Sequence, residues 1–306
     1  MSKIKCIAGI TTYNPKLDRL KQNIESIVNQ VDEVILVDNN STNINMIKEL
    51  TGKISSQVKV IENNRNLGIA YAMNIIGEYA FENGYSWFLT LDQDSISPNN
   101  LISTYFHYLN SEVAIISPYI NFNKSFTSQL FNKSSEQSKE KGDNNVEEVL
   151  YAISSGQLIR TDVWKEVNGF WEYLFIDYVD QEFCFHITKV GYKILKIKSV
   201  ELSHEPGIPI KVCGISTAKQ SAMREYYWAR NSRLVFWLYR DAFLKSIRRY
   251  PFILSIKRIA NVLLVREDVV NKIKAICYGI FDAYKWKMSF NSKERKPEQV
   301  ECSRRY

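Results

Sequence analysis

The chain has 306 residues, 45% hydrophobic and 24% charged, a balance that can build a core and excludes a disordered or fibrous polypeptide. No run reaches the roughly 18–20 apolar residues of a membrane-spanning helix, and the opening MSKIKCIAGI has too short an apolar stretch for a secretion signal, so a polytopic or exported protein is not expected. The net charge is +7, but Tyr239–Tyr306 holds sixteen Lys or Arg against seven Asp or Glu, which leaves residues 1–238 slightly acidic.

In chain order, Cys6–Thr11, Glu33–Val37, Val58–Ile61, Trp87–Leu91 and Val113–Ser117 are short runs rich in Ile, Val and Leu without strict polar alternation, which predicts buried parallel strands. Between them, Leu17–Val28, Ile44–Ile54, Ile69–Phe81 and Pro98–Leu109 repeat apolar residues three and four apart, with Leu20, Ile24 and Ile27 on one stripe. The βαβα order predicts an α/β domain on a mostly parallel sheet. Residues 121–149 turn to Asn, Ser, Lys and Glu and read as a mobile polar insertion. Tyr192–Ile197 reads as a further strand, a Pro-containing loop follows, and a long helix is expected from near Ser216, with Pro251 interrupting the helical run. Two amphipathic helices are then expected, one with Phe252, Ile256, Ile259 and Leu263 on a face, the other with Val269, Ile273, Ile276 and Ile280. The expected division is a main domain over 1–238 and a basic helical region over 239–306.

In an open parallel sheet, ligands bind beyond the carboxyl ends of the strands. Those ends are polar here: Thr11 to Pro15 after the first strand, Asp38 to Ser41 after the second, Asn63 to Gly68 after the third, Asp92 to Ser95 after the fourth. Taken singly, such residues cap the helices that follow. Asp92 and Asp94 go beyond capping, since two carboxylates on one turn can hold a hard divalent cation, Mg²⁺ or Mn²⁺, with phosphate and water in its other positions.

Several chemistries are excluded. Neither a Walker pattern nor GxGxxG occurs, which removes P-loop kinases and common dehydrogenases. No GxSxG elbow occurs, and His107, His186 and His204 are the only histidines, so a hydrolase triad is not expected. Cys6, Cys184, Cys213, Cys277 and Cys302 have no metal or redox spacing and suit a reducing, cytosolic compartment.

The segments ITTYNP, ILVDNNS, NNRNLGIAYAMN, LTLDQDS, ISSGQLIR, FIDYVDQEFCFH, SHEPG and REYYWARN, in this order, resemble the family 2 glycosyltransferases of GT-A fold, particularly the bacterial rhamnosyltransferases of capsule and O-antigen synthesis. The resemblance covers roughly residues 4 to 235. It implies a GT-A, Rossmann-like sheet flanked by helices, with a C-terminal helical extension. It implies that Thr12, Tyr13, Asp38 and Arg65 surround the base and ribose of a nucleotide-sugar donor, that Gly68 opens a helix beside the donor, and that Asp92 and Asp94, with His204, meet the diphosphate and its Mn²⁺ or Mg²⁺. Asp180 would be the general base of an inverting transfer, with Asp177 in reserve; the family often has Glu-Asp where this chain has Val179-Asp180. Ser155 and Gly156 resemble an acceptor-side turn, for which a plain turn is the competing account. Arg224, Tyr227 and Arg230 can share one helical face, either to bind diphosphate or to pack into the protein.

The implied reaction moves a sugar, L-rhamnose from dTDP-rhamnose, onto a glycan acceptor carried on a polyprenyl diphosphate. A UDP-sugar-dependent hexosyl or galactofuranosyl transferase is the alternative within the class. The basic amphipathic tail fits either the inner face of a membrane or packing on the main domain or on a second subunit in a homodimer. It also supports a non-catalytic membrane-surface or nucleic-acid binding protein, but the acidic main domain argues against a nucleic-acid groove.

Overall fold

A computed structural model describes residues 4–119, 145–203, 209–212, 215–218, 220–240 and 250–289. Most of the expected insertion, 120–144, and His204 lie outside the described residues.

The first half alternates as expected: β1 Cys6–Thr12, α1 Leu17–Ile27, β2 Glu33–Asp38, α2 Ile44–Ile54, β3 Val58–Glu62, α3 Ile69–Glu82, β4 Trp87–Asp92, α4 Leu101–Phe106 and β5 Val113–Tyr119. Then follow β6 Val146–Glu148, β7 Gln157–Arg160, α5 Thr161–Glu166, a 3₁₀ turn at Glu172–Leu174, α6 Val179–Lys189, β8 Lys193–Glu201, β9 Pro209–Val212, β10 Ile215–Ala218, α7 Ala222–Leu238, α8 Tyr250–Val265 and α9 Val269–Ser289. Eight strands form one sheet in the order β3-β2-β1-β4-β7-β5-β8-β6. The pairs β1–β2, β2–β3, β1–β4 and β5–β8 are parallel; β7 runs antiparallel between β4 and β5, and β6 is antiparallel to β8.

Three sequence expectations change, and one strand, β7, had no expectation. Val146–Glu148, placed in the polar insertion, pairs with β8 as an edge strand. β7 has only four residues, Gln-Leu-Ile-Arg, too few to show a period, and is recruited by its neighbours. Residues 215–218, where the long helix was expected to begin, form a hairpin strand with 209–212, and the helix starts at Ala222, capped by the Ser221 hydroxyl at the Arg224 amide. The helix expected over Pro98–Leu109 spans Leu101–Phe106. Pro251 stands in the first turn of α8, where a missing amide leaves no helical bond unmade.

The chain divides into two compact units, residues 1–170 with 183–205, and 171–182 with 206–306. The expected boundary after residue 238 falls inside the second. In the first unit, α1 buries Leu20, Ile24 and Ile27 in a core shared with Ala8, Ile10, Leu36, Leu89 and Leu91, each large side chain contributing about 1.5–3 kcal/mol. On the opposite face Ile76 of α3 lies over Gly9, where a Cβ would stand 2.3 Å from its side chain. In the second unit α9 approaches α7 so closely that a Cβ on Gly279 would stand 2.4 Å from the Tyr226 carbonyl oxygen. That approach, with Ala229, Val262 and Ile276 packed together, groups α7 with α8 and α9.

Candidate active site

Sheet order sets the edge of the first unit. Strand β1 lies between β2 and β4, and the chain leaves it in opposite directions on its two sides, the crevice where open α/β sheets bind ligands. Register then pairs Thr12 with Asp38 and Thr11 with Asp92 at the strand ends.

Asp38 is fully buried. Its Oδ1 accepts from the Thr12 hydroxyl at 2.9 Å and the Ser41 hydroxyl at 2.6 Å, and its Oδ2 from the Ser41 amide at 2.7 Å. Expected beside the nucleoside, it ties the turn after β2 to the end of β1. Neighbouring Asn39 donates to the Gly68 carbonyl, and the Gly68 amide donates to Asn66 Oδ1, so this helix start is held by side chains. Tyr13 is half exposed, its amide donating to Gln93 Oε1, and Arg65 is exposed.

The Asp92–Asp94 turn is braced through its main chain. Asn23 of α1 donates to the Asp92 carbonyl at 2.6 Å, Arg19 of α1 donates to the Asp94 carbonyl at 2.7 Å, and the Asp92 amide donates to Ser155 Oγ at 3.2 Å. Ser155, expected on the acceptor side, is fully buried and also shares a 2.6 Å bond with Ser95 Oγ. Gly156 has φ +85°, and a Cβ there would meet Pro118 at 2.7 Å; conformation and close packing both require glycine. The turn so braced carries two carboxylates, those of Asp92 and Asp94. Among the described residues no group of three or more His, Cys, Asp or Glu comes together as a metal site. Two carboxylates nevertheless suit Mg²⁺ or Mn²⁺, which fill their remaining positions with phosphate oxygens and water.

In the second unit, the segment before α6 has an unusual backbone. Phe175 (φ 64°, ψ −63°) centres a three-residue turn closed by the Ile176 amide on the Leu174 carbonyl at 2.7 Å, and Asp177 and Tyr178 follow at φ 62° and 66°. Non-glycine residues in such conformations cost about 1–3 kcal/mol each and persist only when surrounding groups hold them. Helix α7 holds them. Arg224 forms a forked ion pair with Asp177, Nε and Nη2 each 3.1 Å from Oδ1. Tyr227 stacks on Phe175 with centroids 4.8 Å apart. Arg230, nearly buried, donates to the Tyr173 and Leu174 carbonyls and lies over the Tyr173 ring. The Asn231 Nδ2 lies 2.8 Å from each of the carbonyl oxygens of Leu174, Ile176 and Asp177, which share its two hydrogens. Of the two readings of this face, Tyr227 and Arg230 follow the packing one, whereas Arg224 remains 45% exposed. Burial, opposed by the Arg230 charge and reinforced by the Asp282 carboxylate that accepts its hydroxyl, pushes Tyr226 up to about 12 and keeps it a donor.

Asp180, at the second position of α6, is half-buried and takes the Gln181 amide on Oδ1 at 2.9 Å. Glu182 is fully buried and accepts the Tyr239 hydroxyl. Sequence reasoning missed Arg19 and Asn23, and it gave Ser41, Gln93, Ser95 and Asn231, which lie in the segments singled out, no role of their own. Asn23 carried a signal: it stands on the apolar stripe between Leu20 and Ile24, where a polar residue needs a buried partner. Asn231 closes the REYYWARN segment but has no partner visible in sequence.

An eight-stranded, mostly parallel sheet with helices on it, and a carboxylate pair closing its fourth strand at the β1 crevice, define a GT-A glycosyltransferase fold. The fold is similar to that of a mannosyltransferase from Pyrobaculum calidifontis in complex with GDP-Man and Mn²⁺ (TM-score 0.56, 14% identity, 93% of this chain and 79% of that one). It is also similar to GalNAc-T7 with UDP, GalNAc and Mn²⁺ (TM-score 0.55, 14% identity, 75% of this chain and 51% of that one). The model of glycosyl transferase family 2 matches residues 8–167, and the dTDP-rhamnosyl transferase RfbF of Shigella flexneri is 33% identical over 253 residues, 80% of this chain and 84% of that protein. The chain belongs to glycosyl transferase family 2 and is a sugar-transferring enzyme, which answers the non-catalytic alternative. No helix among the described residues is long and apolar enough to cross a membrane.

Proposed function

We propose that this enzyme transfers L-rhamnose from dTDP-rhamnose, with inversion, to a hydroxyl of a polyprenyl-diphosphate-linked glycan in surface polysaccharide assembly. The observation that carries the reading is the braced Asp92–Asp94 turn at the end of β4, beside Thr12 at the end of β1. The Shigella relative supports the sugar and the base.

In this reading Thr12, Tyr13 and Arg65 bound the nucleoside pocket, and buried Asp38 shapes it by holding the turn. Asp92 and Asp94 would hold Mn²⁺ or Mg²⁺; when bound, the cation neutralises charge developing on the departing diphosphate. Asp180 accepts the acceptor's hydroxyl proton, the hydroxyl oxygen bonds to the anomeric carbon, and the sugar's bond to the diphosphate breaks with its electron pair leaving on oxygen.

The exposed side of α8 carries Phe252, Ile253, Ile256, Leu263 and Leu264, and that of α9 carries Phe281 and Met288 beside Lys274 and Lys285. Apolar side chains flanked by lysine suit the anionic inner face of the membrane, where a lipid-linked acceptor would be met.

The test is thermal unfolding with dTDP, UDP, GDP and ADP, each with and without Mn²⁺, on the native chain and Asp94→Ala. A ligand at a hundred times its dissociation constant stabilises by about 2.7 kcal/mol. The expected result is a shift with dTDP that needs Mn²⁺ and disappears in Asp94→Ala. A shift with UDP alone would select the UDP-sugar alternative, and no shift with any diphosphate would refute the donor site.

A further inference from the structure

We infer that Asn231 is a positioning residue for proton transfer: its side-chain amide fixes the main chain of 174–177 and so sets where Asp180 stands. This rests on the reading of Asp180 as general base.

Three carbonyls, those of Leu174, Ile176 and Asp177, converge on one NH₂ group at 2.8 Å each. Asn231 is fully buried, and its Oδ1 accepts from Arg230 Nε at 3.0 Å, which fixes the direction in which the NH₂ points. Arg230 donates in turn to the Tyr173 carbonyl, so consecutive residues of one helix hold a run of main-chain oxygens. The clamped carbonyls alternate with the strained backbone: Leu174 and Ile176 flank Phe175, and Asp177 precedes Tyr178, with positive φ at Phe175, Asp177 and Tyr178. The clamp ends three residues before Asp180, and α6 begins at Val179, so rigid helix transmits the loop's position to the carboxylate.

Few other side chains can do this. Aspartate matches asparagine in size but would point an acceptor at three acceptors, serine is too short to reach all three, and glutamine would displace the loop by a methylene. Asn231 and the residues it holds belong to the second unit, and Thr12, Asp92 and Asp94 to the first, so the clamp should govern the proton-transfer step and leave donor affinity alone.

The test measures dTDP release from dTDP-rhamnose, with water as the acceptor, by the full-length enzyme and by Asn231→Asp, Asn231→Ala, Asp180→Asn, Asp180→Glu and the double variant Asn231→Asp/Asp180→Glu. Melting shifts with dTDP and Mn²⁺ run alongside. For Asn231→Asp the expected result is a kcat about 100-fold lower, the scale of a misplaced reacting group. The KM for dTDP-rhamnose and the dTDP melting shift should stay unchanged, and the loss in the double variant should be far smaller than the product of the single losses. Where Asn231→Ala does not fold, the near-isosteric Asp variant carries the test. Native kcat in Asn231→Asp with an inactive Asp180→Asn overturns the clamp alone. A kcat loss that multiplies with Asp180→Glu, or that comes with a lost dTDP shift, also overturns it, because it marks a general structural defect. Full activity in Asp180→Asn, or no dTDP release by the native chain, overturns the base or donor reading and the inference with it.

Discussion

Asp38→Asn separates a carboxylate that contacts a nucleoside from one that holds a fold together. The native carboxylate takes three bonds while fully buried, from the Thr12 hydroxyl, the Ser41 hydroxyl and the Ser41 amide. An asparagine can keep its oxygen toward the two hydroxyls, but its NH₂ then faces the Ser41 N–H, donor against donor. The lost bond to a charged acceptor is worth about 1.5–3 kcal/mol, and the two retained bonds weaken once their acceptor is neutral, for a total near 3 kcal/mol. In a unit of this size that corresponds to a fall in Tm of about 6–12 °C. Differential scanning calorimetry without nucleotide reads it directly. An unchanged Tm with dTDP binding lost would refute the reasoning and return Asp38 to the ligand.

Two further outcomes are expected. In the second unit Arg258 Nε lies 2.6 Å from Glu225 Oε2, with the Glu225 side chain only 3% exposed. Arg258→Met strands that carboxylate and should cost about 3–5 kcal/mol in urea unfolding, whereas Glu225→Gln/Arg258→Met should recover most of the loss; equal losses would show that the pair is not coupled. Replacing Phe252, Ile256 and Leu263 together by Asp should abolish flotation with phosphatidylglycerol vesicles while the dTDP melting shift persists, and equal flotation of variant and native chains would end the membrane reading.

Residues near one another in sequence determined much of this protein. Period and composition determined β1, β2 and β4 and the helices between them, because burial on both faces selects Ile, Val and Leu runs and a helix packed on a sheet needs a stripe three and four apart, whereas β3, expected to be buried, is an edge strand whose Val58, Val60 and Ile61 are only partly buried. The Asp-x-Asp turn and the polar strand ends were legible because a parallel strand's carboxyl end brings its next residues to one edge. The amphipathic pattern of α8 and α9 was legible too, but not which stripe packs: Val269, Ile273, Ile276 and Ile280 face the interior as a periodic pattern suggests, while of the expected α8 face only Ile259 packs inward and Phe252, Ile256 and Leu263 are exposed.

Tertiary structure alone decided the rest. β6 and β7 are strands because neighbouring strands offer them hydrogen bonds, not because three or four residues prefer to be. Ser155 became a brace for Asp92, and Arg230 and Asn231 became a clamp, through partners 63 and 54 to 57 residues away. A side chain's donors and acceptors can be counted from sequence, but which groups satisfy them depends on what the fold brings within 3 Å, and burial then makes that choice costly to leave unmet.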